Sequence, residues 1–351
     1  MAISIKSGSL YFLREKDCLT SEVSKYVKIG LVKDQRMTSA RIAEHQTGNP
    51  REIIDFKTFE SPFVEYLETQ LHYRNCDKRV RGEWFLLEDV ELKRVLKDAR
   101  KLIRDFAKHE SFILECRDLA KKKSTANERT ANSEERAIWR QLVDAKLNKD
   151  VLQVEKTIVG AQLRRALGDA GGIDGVISVS RRGEGEVFDQ ASLAKDHSRI
   201  FKKYVNVVRT SVSGSFLLRG NKQLKKELPD LYARAATLKS EVNLPESTNF
   251  LRKKRRTDRI ETLHQQYLDI QRELCVGDWE IQKLEAKLKC LIGISQGLIE
   301  LCAWNRMQTE KTVFNLKEFR DERPELYKKY LWKKPDSTSV IINSWRPYSW
   351  G

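Results

Sequence analysis

The sequence predicts an α+β fold: a small α/β module, a charged helical linker, then two tandem α+β repeats. Three observations predict it. Two short runs near the N-terminus are strand-like: SLYFLR (9–14), and YVKIGL (26–31), which alternates with the period of a strand. Helix-patterned and strand-patterned segments then alternate up to about residue 107. Finally, the C-terminal two-thirds resembles itself at an offset of 126 residues, Val187 falling on Val313.

In the second run Tyr26 and Lys28 share one strand face and Val27 and Ile29 the other. The polar segment between the runs suits a hairpin connection. TSARIAEHQ (38–46) reads as a helix stopped by Gly48-Asn49-Pro50. REIIDFKTF (51–59) reads as a third strand. Ser61-Pro62 is the expected start of the next helix, with Ser61 as N-cap and Pro62 as first helical residue, running through VEYLETQLHYR. GEWFLL (82–87) closes the module as a strand, and a helix rich in Lys and Arg follows from about 89 to 107. The order ββαβαβα fits one domain of ordinary size, residues 1–107.

Residues 108–133 are expected to form a helical linker, with an exposed break at Lys121–Asn127. Val187–Tyr204 (VFDQASLAKDHSRIFKKY) and Val313–Tyr330 (VFNLKEFRDERPELYKKY) share their first two and last three residues. Leu193, Ile200, Phe201 and Tyr204 make an amphipathic stripe in one copy; Phe319, Leu326, Tyr327 and Tyr330 repeat it in the other. The expected modules are 134–221 and 260–351, joined by a basic helical connector at 222–259. Two copies are fewer than a solenoid needs, so duplication of a small domain describes them better.

Composition narrows the function. Of 351 residues, 66 are Lys or Arg and 50 are Asp or Glu, a net charge of +16 with pI near 9.5. That balance favours a polyanionic partner, because phosphates neutralised by protein cations release bound counterions. DNA is the expected partner, with no membrane. No apolar run reaches the length of a bilayer span, and the N-terminus lacks the charged-then-apolar pattern of a secretory signal. The six cysteines show no CxxC spacing and read as free thiols of a reducing compartment, so a cytoplasmic protein is expected.

The chemistry concentrates in the first 85 residues, where Tyr11, Lys28-Ile29-Gly30, Arg41, His45, Glu68 and Gly82-Glu83-Trp84-Phe85 follow one another. Arg41 and His45 stand at i, i+4 on one helical face. A guanidinium there can brace a pentacovalent phosphorus, and an imidazole can hold the phosphate or relay a proton near neutral pH. Glu68 supplies a carboxylate, and Mg²⁺ commonly takes one or two of these and keeps several waters. Tyr11 could serve as general base if Lys28 or a metal lowered its pKa; Lys28 could instead hold the phosphate as a point charge. Tyr26, on the same strand face as Lys28, is a further candidate. Each residue also has a plain structural reading: Tyr11 as core, Arg41 and His45 as a solvated face, Glu65 as a rival to Glu68.

This ordered set resembles the GIY-YIG nuclease superfamily over about residues 8–100, in particular its phage and bacterial branch with KIG, TGNP and GEWF motifs. By that resemblance Tyr11 is the tyrosine of the first motif, and Lys28 replaces the tyrosine of the second. Arg41 and His45 match the family's arginine and histidine. Glu68 is its metal ligand, and His72 lies one turn beyond. Glu83 falls near a late asparagine that this chain does not show. The resemblance implies a DNA endonuclease using Mg²⁺ or Mn²⁺, leaving a 5′-phosphate and a 3′-hydroxyl, with a role in defence against, or competition between, mobile elements.

Outside the module, Arg252, Lys253, Lys254, Arg255 and Arg256 form the densest basic run, suited either to a DNA backbone or to a solvated connector. Trp332, Trp345 and Trp350 suit packing better than base stacking. The expected function is metal-dependent hydrolysis of DNA phosphodiesters, with the C-terminal modules placing the enzyme on DNA or on a partner protein. The alternative is an inactive module of the same shape that binds DNA or serves assembly. A single-site nuclease that cuts both strands must form a homo-oligomer or act twice.

Overall fold

The computed structural model describes residues 6–33, 38–219, 224–241 and 252–344. β1 (Gly8–Lys16) and β2 (Val23–Lys33) form an antiparallel pair with Tyr11 opposite Gly30. Strand alternation sorts their side chains. Leu10, Phe12, Val27 and Ile29 enter the larger core, while Tyr11, Leu13 and Val32 enter a smaller one. α1 (Thr38–Gln46) covers that smaller core through Ile42 and leads to β3 (Glu52–Ser61), which pairs with the other side of β1. α2 (Val64–Arg74), a 3₁₀ turn at Cys76–Lys78, β4 (Arg79–Arg81) and β5 (Trp84–Leu86) complete a sheet of order β3-β1-β2-β5-β4. β5 meets β2 only through Tyr26, Val27 and Lys28. Backbone bonds from Leu87 N to Lys25 O and from Ile29 N to Glu83 O, each 3.0 Å, extend that contact, so the stretch from Gly30 to Lys33 is left as an open margin beside α2 among the described residues.

Two local expectations change. Ser61 ends β3 rather than capping α2: it still pairs with Gly8, and its hydroxyl accepts from the Phe63 amide at 3.2 Å. The helix starts at Val64, with Phe63 in the cap position. The basic helix, α3 (Asp89–Leu119), does not stop near 107. Glu88 and Glu91 close a capping box at its start, and its buried stripe from Leu92 through Phe106 continues to Ile113.

Residues 120–132 are not helical. They form a strap whose backbone donates to the chain near residues 294–306: Ser124 N to Arg306 O at 3.0 Å, Thr125 N to Ile294 O at 3.1 Å, Arg129 N to Gly297 O at 3.2 Å. Lys121–Asn127 looks like a loop in sequence because its partners lie more than 160 residues away.

The remaining elements run α4 (Ser133–Leu167), β6 (Gly172–Ile173), β7 (Ile177–Arg182), β8 (Gly185–Phe188), α5 (Gln190–Asp196), α6 (Ser198–Lys203), β9 (Val205–Ser213) and β10 (Leu217–Leu218). Next come α7 (Leu224–Glu227), α8 (Pro229–Ser240), β11 (Lys253–Lys254) and α9 (Asp258–Ile292). The last are β12 (Gly297–Leu298), β13 (Cys302–Ala303), β14 (Met307–Phe314), α10 (Leu316–Glu322), α11 (Pro324–Lys329), β15 (Leu331–Lys334) and β16 (Ser337–Ile342). α4 and α9 lie antiparallel, tied by Lys149–Asp278 at 3.0 Å, Lys146–Glu285 at 3.1 Å and Lys287–Glu134 at 3.1 Å.

The internal repeat has a structural counterpart, and the two copies interlock. β8 of the first pairs with β15 of the second, Phe188 opposite Leu331; β9 pairs with β14, Val205 opposite Phe314. Adding 126 to one member of each pair and subtracting it from the other turns the first pair into the second. The same exchange converts the Tyr204–Glu322 hydrogen bond into Tyr330–Asp196, each 2.9 Å. It also converts the Phe201/Phe314 stack into Phe188/Tyr327. The copies are thus related by a pseudo-two-fold axis, the geometry of a dimer with both halves in one chain.

The N-terminal module is docked on α9. Trp279 enters its core, the Tyr66 hydroxyl donates to Asp278 at 3.1 Å, Gln70 Nε2 donates to Cys275 O at 2.9 Å, and Arg272 pairs with Asp77 at 2.8 Å. Among the described residues, no helix is long and apolar enough to cross a membrane.

Candidate active site

Tyr11 of β1, Arg41 of α1, Glu65 and Glu68 of α2, Lys33 of β2 and Glu83 of the β4–β5 turn line one cleft of about 340 Å³. The open margin of β2 explains the convergence: side chains from both faces of the sheet meet around it. Gly30 makes room for Tyr11. A Cβ there would stand 2.5 Å from the phenolic oxygen, closer than real contacts allow. Gly82, at φ +54°, makes the left-handed turn that delivers Glu83.

The Tyr11 hydroxyl and His45 Nε2 are 3.2 Å apart. With the imidazole proton on Nδ1, the hydroxyl donates to Nε2. Burial pushes the Tyr11 pKa above its ordinary value, and the nearby Arg41 guanidinium opposes that rise without cancelling it. His45 is shifted down by burial and by the Lys28 and Arg41 charges, so it is neutral at neutral pH. Tyr11 is therefore not an anionic base in waiting; the group with a lone pair to offer is His45.

Lys28 is occupied differently from either sequence expectation. Its ammonium donates to Glu83 Oε2 at 2.8 Å and lies 5.8 Å from the centre of the Trp84 ring. Burial raises the Glu83 pKa, but the Lys28 hydrogen bond and charge outweigh it and hold the carboxyl below its usual range. Tyr26, opposite Leu86, does not line the cleft.

Glu68 has no hydrogen bond or ion pair among the described residues, whereas Glu65 is bound by Lys33 and, at 3.8 Å, by Lys6. The two carboxylates thus differ in their partners. Burial, then the Glu83 charge, push the Glu68 pKa up to about 7, against the opposing pull of Arg79, Lys28 and Lys33. A half-buried carboxyl with no cation of its own, in a cleft with two further carboxylates that are each paired with a lysine, fits a hard divalent cation that keeps most of its waters. Among the described residues no group of three or more His, Cys, Asp and Glu could enclose a metal, so the donor set suits this open kind of site and not a closed one.

His72 does not join the cleft. Its Nε2 donates to Ile29 O at 2.8 Å, its ring packs on Phe85, and burial holds its pKa at about 4. It is a neutral core residue, which corrects its assignment as a nucleic-acid contact. The basic run is divided. Lys254 Nζ donates to Ala166 O at the end of α4, 3.1 Å away. Arg256 pairs with Glu261 at 3.7 Å and borders an acidic cleft of about 840 Å³ lined also by Asp77, Glu88 and Glu91. Arg252, Lys253 and Arg255 stay on the surface. Trp332 is 47% exposed on β15, so it is not core; Trp345 and Trp350 lie outside the described residues.

Lys33 and Arg79 carry no signal in the sequence, and both act on Glu68. Lys33 ends the strand that carries Lys28 and Gly30. Arg79 precedes the Gly82 turn, whose Gly82 carbonyl accepts from the Arg79 Nε.

The comparison with known families meets this geometry at the N-terminal module. Residues 8–104 match the T5orf172 domain. The T5orf172 match corrects the resemblance to the GIY-YIG nuclease superfamily: a different family model matches, and no GIY-YIG model does. The implied product ends and role among mobile elements rested on that resemblance and fall with it. The T5orf172 domain is associated with nuclease-like and DNA-binding proteins, compatible with a DNA endonuclease in general and with DNA as partner. No curated protein and no solved structure matches the chain.

Proposed function

We propose that the protein is a metal-dependent DNA endonuclease whose active site is the Tyr11–Arg41–Glu68 cleft. The observation that carries this reading is the meeting of a neutral hydroxyl–imidazole relay, a guanidinium and a carboxylate without a partner around one opening.

The relay moves one proton. A water held on the Tyr11 oxygen gives up its proton to that oxygen as the hydroxyl proton passes to His45 Nε2. The water oxygen forms a bond to phosphorus, the opposite P–O ester bond breaks, and the departing oxygen takes a proton from solvent. Arg41 binds the non-bridging oxygens, whose charge grows in the transition state. Lys28, clasped by Glu83, adds positive potential and fixes the carboxylate. Glu68 would hold a divalent cation, Mg²⁺ or Mn²⁺, which when bound stabilises negative charge on the departing oxygen.

Plasmid nicking with Mg²⁺ tests the reading, comparing wild type with Glu68→Gln and Arg41→Ala. Wild type is expected to nick, and each variant to lose at least about tenfold to a hundredfold in rate. Equal nicking by all three overturns the site. No nicking by wild type, with DNA binding retained, favours an inactive module that only binds DNA.

A further inference from the structure

α3 carries a charge pattern that the cleft does not use. Lys93, Lys97, Arg100, Lys101, Arg104 and Lys108 are all exposed. At 100° and 1.5 Å per residue they share a face about 100° wide and about 22 Å long. None forms an ion pair among the described residues, although the helix has acids of its own. Asp89 pairs with Arg14, Glu91 with Lys78 and Asp105 with Lys283, while Asp98 and Glu110 lie off the row by about 60° and 80°. Lys97 follows Lys93, and Arg104 follows Arg100, at the i, i+4 spacing where like charges repel. The helix tolerates this because its other face is buried from Leu92 to Phe106. Arg100 and Lys57 both lie over the Phe59 ring, at 5.6 and 5.7 Å, which carries the basic surface on to β3, an edge strand of the sheet.

We infer that this face of α3 binds the sugar–phosphate backbone of double-stranded DNA, outside the cleft. The choice of DNA rests on the endonuclease reading; the choice of duplex rests on the surface. A membrane-surface helix needs a free apolar face, and the apolar face of α3 is core. Single-strand sites interleave cations with exposed aromatic platforms; no aromatic residue lies among the α3 cations, and Phe59 at their border is half-buried beneath Arg100 and Lys57. A straight row of cations without stacking groups matches a duplex, which presents a phosphate charge about every 1.7 Å of its axis.

The test uses the full chain in EDTA, so that binding is read without cleavage. Anisotropy of a fluorescein-labelled DNA duplex of mixed sequence is followed across a potassium chloride series. The variant Lys97→Gln/Arg100→Gln/Arg104→Gln keeps residues of good helix propensity. Its plot of log affinity against log salt is expected to be shallower by about 2–3, since each phosphate no longer neutralised lowers the slope by about 0.9. Lys93→Gln/Lys108→Gln, at the ends of the row, should lower it by about 1–2 and keeps the test decisive should the triple variant misfold. Lys202→Gln/Lys203→Gln on α6, remote in sequence and exposed, should leave the slope as in wild type. The inference is overturned by unchanged slopes in both α3 variants, by an equal change in the α6 variant, by absence of duplex binding in wild type, or by tighter binding of a labelled single strand. Wild type that binds through α3 yet fails to nick plasmid overturns the endonuclease reading alone. Wild type that nicks while the α3 slopes stay unchanged overturns this inference alone.

Discussion

Lys28 and Glu83, 55 residues apart in sequence, meet at 2.8 Å because Lys28 pairs with Trp84 where β2 and β5 touch. The pair is mostly shielded from water on the lysine side, so removing one member strands the other. Lys28→Met should destabilise the protein by about 1–3 kcal/mol, between the values for surface and buried pairs. Adding Glu83→Gln should return part of the loss. The Glu83 pKa is lowered in the fold, so the pair's contribution is present at neutral pH and disappears as pH falls below the ordinary carboxylate range. Urea unfolding of the four proteins at neutral and acidic pH measures this. Strictly additive losses at neutral pH would show that the pair is not coupled.

Tyr11→Phe removes only the relay oxygen. The ring stays packed against Gly30, so stability should change little while turnover falls by about 10²–10⁴. In wild type at saturating Mg²⁺, the acid limb of the rate profile should report His45 and lie below the ordinary histidine value of 6.5, because burial and the Lys28 and Arg41 charges lower its pKa. Single-turnover nicking between pH 5 and 8 provides the profile. A Tyr11→Phe enzyme with wild-type rate and limb would remove the relay from the mechanism.

Much of the N-terminal module was legible because its signals are local. The helix carrying TSARIAEHQ ends at Gln46, where its sequence announces, since Gly48-Asn49-Pro50 cannot continue it. The placement of Arg41 and His45 on one helix and of Glu68 on the next was legible for the same reason. What could not be read depends on distant partners. Ser61 looks like a cap until its pairing with Gly8 is known. His72 looks like a site residue until the Ile29 carbonyl is found at its ring. Lys121–Asn127 looks like an exposed break in a helical linker because no nearby residue reveals the Ile294 and Arg306 carbonyls that fasten it. The sequence similarity between repeats was visible, but the exchange of strands between them was not, since a pattern of apolar positions does not say which copy covers which.

Gly30→Ala tests whether the KIG glycine serves the cleft or the turn chemistry of the strand. The added methyl carbon would press on the Tyr11 ring and hydroxyl. Overpacking of this kind costs about 1–3 kcal/mol and would push the hydroxyl away from His45. Nicking should fall with it, and the alanine at position 30 should cost less stability in a Tyr11→Ala background, where the clash is gone, than with tyrosine in place. Thermal unfolding and nicking of Gly30→Ala, alone and with Tyr11→Ala, measure both effects. Full stability and activity in the single variant would show that Tyr11 has room to spare.

Glu68 links the site to pH. In the unfolded chain it ionises near 4.5; in the fold it keeps its proton up to about pH 7. Folding therefore takes up a proton between those values, so stability falls as pH rises through that window and the loss is complete above it. Allowing for relaxation and solvent, the loss is about 1–3 kcal/mol. Without a divalent ion, Glu68→Gln should unfold about 2–4 °C higher than wild type at pH 8 and at the same temperature at pH 4. Added Mg²⁺ should reverse the order at pH 8, because a ligand that binds only the folded state stabilises it and glutamine offers the ion no charge. EDTA should restore the first result. A Glu68→Gln protein that is less stable than wild type at pH 8 in EDTA, or that gains as much from Mg²⁺, would show that this carboxyl is neither strained by burial nor the seat of the cation.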